Sequence, residues 1–336
     1  MRALAIALGV FALLSLSVGP TGVTLEAVPR AVLELLGYAE RSSRHEALVL
    51  FDIRLPRTLL AIYVGAALAV AGAMMQGMFR NPLADPGLIG VSSGAALAAV
   101  SVIAFGHVLF PSVMVVLGVY ALPLAAFIGG IAVTALLVAV TSGRRTVSTG
   151  ALLLAGIAVA ALAQALMGLV AYLSDDRALR DLTLWTLGSL AGASWGKVIG
   201  ALPLAVMLAM LLPRLVRDLN GLLLGEAEAY HLGVDIRRAK YLIVLATAAA
   251  VGAAVAVAGI VGFIGIVTPH IVRLLAGPDH RVLLPASAML GATIVLAADM
   301  LARVIVAPAE LPLGIVTAIV GAPFFLHLVL RRGVHG

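Results

Sequence analysis

Two long charge-free runs limit what this chain can fold into more than any other feature. Between Arg57 and Arg80 lie 22 residues without Asp, Glu, Lys or Arg, and the run from Pro86 to Gly143 has 58. A helix of the first length spans roughly 33 Å, enough to cross a hydrocarbon core of about 30 Å. The second run is too long for one crossing and must reverse within it. Because helices are the default for such runs in lipid, the chain is predicted to be an all-α integral membrane protein.

Composition supports this prediction and excludes several classes of site. The chain is 62% hydrophobic and only 11% charged, whereas soluble domains have about 25% charged residues. It has no cysteine, which excludes disulfides, Cys-ligated zinc, iron–sulfur clusters and thiol catalysis.

The hydropathy pattern predicts a single transmembrane domain, 1–336, with about ten spans. The first span is expected to be a retained helix and not a cleaved signal peptide, since no A-x-A-like site follows it. Outer loops are predicted at 20–57 and 174–197, a short surface helix at about 180–190, and a cytoplasmic segment at 214–240. The predicted spans are 3–25, 58–79, 91–106, 115–140, a helix within 146–174, 195–213, 241–258, 263–276, 282–303 and 313–330.

The distribution of basic residues predicts the orientation. Ten spans place both termini on one side, and that side carries 13 of the 22 Lys and Arg residues and a net charge of +7. The other side carries nine, balanced by nine acids. By the positive-inside rule both termini are expected to be cytoplasmic. The basic pI of about 10.2 then reflects orientation and not nucleic-acid binding.

The second predicted span and the turn after it carry two packing signals. Gly65, Ala69, Ala73 and Gly77 recur every four residues, so one face is small enough for another helix to approach closely. Lipid-facing tolerance of small residues is the alternative. The proline-broken turn after Arg80, NPLADPG, must be buried in protein or line a cavity if it lies at membrane depth.

No catalytic or metal-ligating constellation is visible in the sequence. The seven histidines never fall three or four residues apart, and there is no G-x-x-x-x-G-K-[ST] phosphate-binding loop. Asp299 is the one acid well inside a predicted span, which makes it a candidate proton site of a secondary transporter. The interpretation favoured here is an ion pair with Arg303, four residues later on the same helix face.

Several long motifs resemble one family of transporters. RLPR at 54–57, MQGMFRNPLADPGLIGVSSGAAL at 75–97, GIVGFIGIVTPHIVRLLAGPDHRVLLP at 259–285 and AELPLGIVTAIVGAPFF at 309–325 are similar to the permease subunits of iron-siderophore, haem and cobalamin ABC importers. The resemblance implies a two-fold dimer in the bacterial inner membrane, with two ATPase subunits and a periplasmic substrate-binding protein. It also implies that the chain is not an enzyme, holds no permanent cofactor and leaves ATP to the partner subunit.

The resemblance also implies site residues. LLLGEAEAYHLGV looks like the segment that couples these permeases to the ATPase, and the residues carried over are Gly225, Glu226, Ala229, His231 and Leu232. Outward arginines at the family's motif positions receive acidic residues of the binding protein, which here implies Arg54, Arg57 and Arg303; interfacial snorkelling is the alternative. By position on the fifth span, the pathway is expected to be lined by Ala155, Ala158, Leu162 and Met167.

The cargo is predicted from a shorter match. The haem permeases are the subgroup that looks most similar at 181–195, DLTLWTLGSLAGASW, and in the motifs nearest the N-terminus, at 54–57 and 75–97. Haem is therefore the expected cargo. A ferric siderophore or cobalamin is the alternative within the class, and a proton-coupled secondary transporter that uses Asp299 is the alternative outside it.

Overall fold

The fold comes from a computed structural model that describes residues 1–19, 44–141 and 149–333. Most of the predicted outer loop 20–57 lies outside the described residues, and its last part, from Arg44 onward, is helical. The described parts of the chain form α-helices joined by short turns, as predicted.

From Arg44 to Thr141 and from Thr149 to Gly333 the helices follow one another with few residues between them. A π-helical turn at Val49–Arg54 joins α2 to α3, and 3₁₀ turns lie at Pro86–Ile89 and Gly118–Tyr120. In chain order the helices are α1 (Arg2–Ser17), α2 (Arg44–Leu48), α3 (Leu55–Phe79), α4 (Val91–Leu109), α5 (Pro111–Leu117), α6 (Ala121–Thr141), α7 (Thr149–Tyr172), α8 (Asp176–Thr186), α9 (Trp195–Leu223), α10 (Glu226–His231), α11 (Ile236–Ala258), α12 (Ile264–Ala276), α13 (His280–Val304) and α14 (Leu313–Gly333).

Seven helical segments among the described residues are long and apolar enough to cross a membrane. They correspond to the predicted second to seventh and ninth spans. Shorter apolar helices at Arg2–Ser17, Ile264–Ala276 and Leu313–Leu326 correspond to the other three. The break implied between the predicted spans 91–106 and 115–140 is present, because α4 ends at Leu109 and α5 begins at Pro111. The predicted surface helix at 180–190 is found a few residues earlier, as α8.

Two helices end well away from their predicted ends. The first span was expected over 3–25, but α1 ends at Ser17. The sixth span was expected to end at Pro213, but α9 continues through that proline to Leu223. A proline inside a helix removes one backbone hydrogen bond. The continuation beyond it is stabilised by burial of Leu215, Leu219 and Leu222, which are at most 2% exposed.

Helix α3 is the centre of the fold, and the small face predicted for it is confirmed. It packs against α13, α11, α12 and α9. A Cβ atom added at Gly65 would lie 2.3 Å from the Gly291 carbonyl oxygen, and one added at Gly72 would lie 1.7 Å from the Gly265 carbonyl oxygen. Only glycine permits such backbone contact, so these positions set how closely α13 and α12 approach α3.

The second half of the proline-broken turn between α3 and α4 is packed into the protein, where Ala84 and Pro86 are buried, whereas Asn81 at its start is exposed. Pro86 is buried against Gly265 at the start of α12, where an added Cβ would lie 2.8 Å from the proline ring. The Leu88 carbonyl oxygen faces Gly156 of α7. The Asp85 side chain accepts a hydrogen bond from the Gly87 N–H at 2.6 Å, and burial raises the pKa of its carboxyl group.

The break predicted between the seventh and eighth spans is also present. Helix α11 ends at Ala258, Gly259 has a φ of 69°, and Phe263 has a φ of 67° before α12 begins. Both residues lie in the left-handed region, which turns the chain sharply without a long loop. This leaves α12 as a short helix of 13 residues.

Candidate functional site

An ion-pair cluster formed by Arg57, Asp299, Arg303 and Glu310 lies where α3, α13 and the start of α14 meet. The Arg57 Nη2 atom lies 2.9 Å from Asp299 Oδ1, and its Nη1 atom lies 2.9 Å from Glu310 Oε1. Arg303 Nη2 approaches the other Asp299 oxygen at 3.0 Å. Asp299 is 1% exposed. Its carboxylate therefore lies between two guanidinium groups, which is the arrangement that a buried charge requires.

The ion-pair cluster also fixes α1 to the bundle. Arg303 donates hydrogen bonds to the carbonyl oxygens of Ser15 at 3.2 Å and Val18 at 3.0 Å, and to the Ser15 hydroxyl at 3.0 Å. The Ser15 and Thr58 hydroxyls lie 2.9 Å apart, and Arg54 donates to the Leu16 carbonyl. The end of a short apolar helix is thus held by charge-assisted hydrogen bonds.

These contacts bear on two predictions made from the sequence. The i, i+4 pairing of Asp299 with Arg303 is confirmed. The outward projection expected for Arg54, Arg57 and Arg303 is not seen, because their side chains are directed into the protein and are 3%, 6% and 4% exposed. These arginines already form ion pairs with acidic side chains of the same chain and hydrogen bonds with backbone carbonyl groups at the end of α1.

Helix α10 forms a small protrusion between α9 and α11. Gly225 precedes it with a φ of 116°, and the Glu226 carboxylate lies 2.8 Å from the ammonium group of Lys240 in α11. Ala229 is completely buried and lies close to Gly221 of α9. One side chain therefore anchors the helix by charge and another by packing.

The remaining side chains of this region face away from the bundle. Tyr230 is 70% exposed and Leu232 59% exposed, and His231 is exposed beside Tyr230 with their rings 6.0 Å apart. Of the predicted ATPase-contact residues, His231 and Leu232 are at the surface, and Glu226 is partly so. Gly225 and Ala229 are buried, so neither presents the exposed surface that was expected of a contact residue.

The four predicted pathway residues lie along α7, which has few neighbours within the chain. Ala158 and Leu162 are exposed, whereas Ala155 and Met167 are half-buried. Met167 and Gln164 line a cavity of about 430 Å³ between α7 and α8, together with Thr183 and Thr186. The exposed face of α7 is apolar, which suits contact with lipid or with another protein chain.

Sequence reasoning missed three residues that hold these sites together. Glu310, Ser15 and Lys240 contact partners that are distant in sequence, and the pairing of Glu310 with Arg57 spans 253 positions. The only sequence signal for Glu310 and Lys240 was their charge next to a predicted span. Among the residues that the structure describes, no group of three or more His, Asp or Glu side chains could hold a metal ion.

Comparison with known proteins places this arrangement in a family. The FecCD transport family model matches residues 7–331. The chain belongs to the FecCD transport family. It is 48% identical over 281 residues to the hemin transport system permease protein HmuU of Yersinia pestis, covering 84% of this chain and 83% of that protein.

Cobalamin permeases are nearly as similar. Identity is 45% over 285 residues to the cobalamin import system permease protein BtuC of Halobacterium salinarum, covering 84% of this chain and 73% of that one. It is 43% over 292 residues to the vitamin B12 import system permease protein BtuC of Klebsiella pneumoniae, covering 86% and 84%.

A solved structure agrees with the fold. A metal-chelate type ABC transporter in an inward-facing conformation superposes with a TM-score of 0.84 at 32% sequence identity, covering 98% of each chain. The chain is therefore an ABC importer permease.

Proposed function

We propose that this permease passes haem from an extracytoplasmic binding protein into the cytoplasm. The observation that carries the proposal is the 48% identity to the hemin permease of Y. pestis over most of both chains. Cobalamin is the second candidate, because the identity to a cobalamin permease is only slightly lower, at 45%. A ferric siderophore is the third cargo of the class.

The proposed assembly is a homodimer in the bacterial inner membrane with two ATPase subunits. In this assembly all ten apolar helices cross the membrane, both termini are cytoplasmic, and ATP is bound and hydrolysed by the partner subunits. The apolar exposed face of α7 supports a second copy at this surface, because an apolar helix face gains contacts when it packs against another in lipid. The pathway would then run beside Ala155, Ala158, Leu162 and Met167.

The proposed coupling site is the exposed surface of α10. Tyr230, His231 and Leu232 would contact the ATPase, since an amphipathic segment laid into a groove is a common recognition mode. Gly225, Glu226 and Ala229 would hold α10 at the correct angle. An ATP-driven movement of the partner would then be transmitted through α10 to α9 and α11.

Docking of the binding protein on the outer face also belongs to this proposal. Arg54 and Arg303 would meet acidic residues of that protein only if the end of α1 released them. Arg57 would do so only if Asp299 and Glu310 released it. Their present contacts support a structural role for the same three side chains, in which they hold neighbouring helices together.

Proteoliposomes that contain the chain and its ATPase, with ATP enclosed, would test the cargo. Haem-loaded binding protein is added outside, and haem entry is followed spectroscopically. We expect ATP-dependent haem entry, and no entry when the P-loop lysine of the ATPase is replaced. ATP-dependent entry of cobalamin or a ferric siderophore instead would change the cargo. Entry driven by a pH gradient without ATP would overturn the mechanism and return attention to Asp299.

A further inference from the structure

The exposed apolar side of α9 ends in two arginines. Ile199, Val206 and Met210 are 64%, 45% and 77% exposed, and they form one apolar stripe along the helix. Arg217 follows Met210 by seven residues, which is two helical turns, so it lies on the same side of the helix. Arg214 lies one turn before it, and both side chains are exposed. The stripe thus passes directly from apolar to cationic.

The length of α9 places these arginines at the depth of lipid headgroups. Trp195 begins the helix, and tryptophan is typical of a membrane–water interface. Arg214 follows 19 residues later, about 28 Å along the axis at 1.5 Å per residue. This is close to the hydrocarbon thickness of about 30 Å. If Trp195 lies at one interface, Arg214 lies at the other and Arg217 lies just beyond it.

The first turn of α11 adds positive charge at the same place. Arg238 and Arg237 are exposed there, and Arg238, Arg214 and Arg217 all lie within electrostatic range of Asp218. Asp235 is the other acid nearby, and its side chain accepts a hydrogen bond from the Arg238 N–H at 3.0 Å. Three arginines therefore lie around Asp218 with one further carboxylate, and Arg237 is exposed next to Arg238, which leaves a net positive surface beside the apolar stripe.

We propose that Arg214 and Arg217 bind the phosphate of an anionic membrane lipid whose acyl chains lie along the Ile199–Met210 stripe of α9. A guanidinium group presents two parallel N–H donors to phosphate oxygens, which suits a diester headgroup. An anionic leaflet attracts such residues, and each arginine near the surface contributes roughly a fivefold preference. The occupant is a lipid and not a free phosphate ester, because the apolar stripe has no role in binding a soluble anion. The proposal does not depend on which cargo the permease carries.

The lipid preference of the reconstituted full-length chain would test this proposal. Spin-labelled phosphatidylglycerol and phosphatidylcholine are compared by the fraction that the protein immobilises. The wild-type chain should favour phosphatidylglycerol, and Arg214→Gln with Arg217→Gln should reduce that preference by roughly fivefold for each arginine. Arg214→Lys with Arg217→Lys keeps the charge and should retain most of it. Glycerol 3-phosphate, which has no acyl chains, should not compete.

The matched control is Arg177→Gln with Arg180→Gln, two exposed arginines three residues apart on α8. This pair should leave the preference unchanged. An unchanged preference in the α9 variant, an equal loss in the α8 variant, or competition by glycerol 3-phosphate would overturn the proposal. The proposal would also be overturned if the α9 variant bound the ATPase more weakly but kept its lipid preference, because the arginines would then belong to the protein interface.

Discussion

At one end of α3, Arg57, Asp299 and Arg303 are at most 6% exposed and pair with one another. Near its other end, beyond Arg80, α10 leaves Tyr230 and Leu232 more than half exposed. Both regions contain an ion pair with a buried partner. At Asp299 the charged groups hold several helices together. At α10 the Glu226–Lys240 pair orients one short helix whose other face is exposed. Charged residues near a span can therefore be bracing or positioning groups as readily as contact groups.

Asp299→Ala should break the first region and have the largest effect on stability. It would leave Arg57 and Arg303 buried without the carboxylate they share, and such a loss costs about 3–5 kcal/mol. We expect a marked fall in the thermal unfolding temperature of the detergent-solubilised chain. Glu310→Gln is the control, because the Glu310 side chain is 29% exposed, and it should have a much smaller effect.

A second substitution at Asp299 distinguishes a structural role of this residue from proton coupling. In our interpretation, Asp299→Asn lowers stability but leaves ATP-dependent uptake by the folded fraction. A folded variant of normal stability with no uptake would contradict the bracing role.

Gly72→Ala should have the next largest effect, because α3 connects the two regions. The added Cβ would lie 1.7 Å from the Gly265 carbonyl oxygen, so α3 and α12 would have to separate. Overpacking of this kind costs about 1–3 kcal/mol. Gly200→Ala in α9 is the matched control, since no atom lies within 4 Å of its added Cβ. Equal unfolding temperatures for the two variants would show that the close contact is not required.

Replacing each partner of the Glu226–Lys240 ion pair in turn would show how charge and packing contribute in the second region. Glu226→Gln removes the carboxylate beside Lys240, which is 2% exposed, whereas Lys240→Met leaves a partly exposed Glu226. We expect Glu226→Gln to be the more destabilising, by about 1–2 kcal/mol, since it weakens the pairing of a buried charge. Chemical unfolding followed by tryptophan fluorescence would compare them. A larger loss from Lys240→Met would mean that the lysine stem contributes more by packing than by charge.

Tyr230→Ala with Leu232→Ala should have the smallest effect on stability. Exposed side chains contribute little to the fold, but aromatic and apolar side chains at the centre of an interface often cost 1–2 kcal/mol or more in binding. We expect roughly tenfold or greater weakening of ATPase association, measured by surface-immobilised binding in detergent. Ile199→Ala on the apolar stripe of α9 is the control. Unchanged association in the double variant would remove α10 as the coupling surface.

The sequence by itself determined the helices and most of their ends. Charge-free length predicted the long spans. Glycine and proline predicted the breaks in the turn 81–87 and between the seventh and eighth spans, because these residues act through the local backbone. The small face of α3 and the Asp299–Arg303 pair were also predictable, since each consists of residues four positions apart on one helix.

Only the tertiary structure decided which way the polar side chains point. Arg57 and Asp299 are 242 positions apart, so no local pattern could pair them. Arg57 and Arg303 are buried through Asp299, and Arg54 through its contact with the Leu16 carbonyl. Ala229 and Gly225 match the family's contact motif yet are buried, and α9 continues through Pro213 because leucines beyond it are buried by other helices. Local backbone preferences depend on neighbouring residues in the sequence. The burial of a charge or a turn depends on helices that only the folded chain brings together.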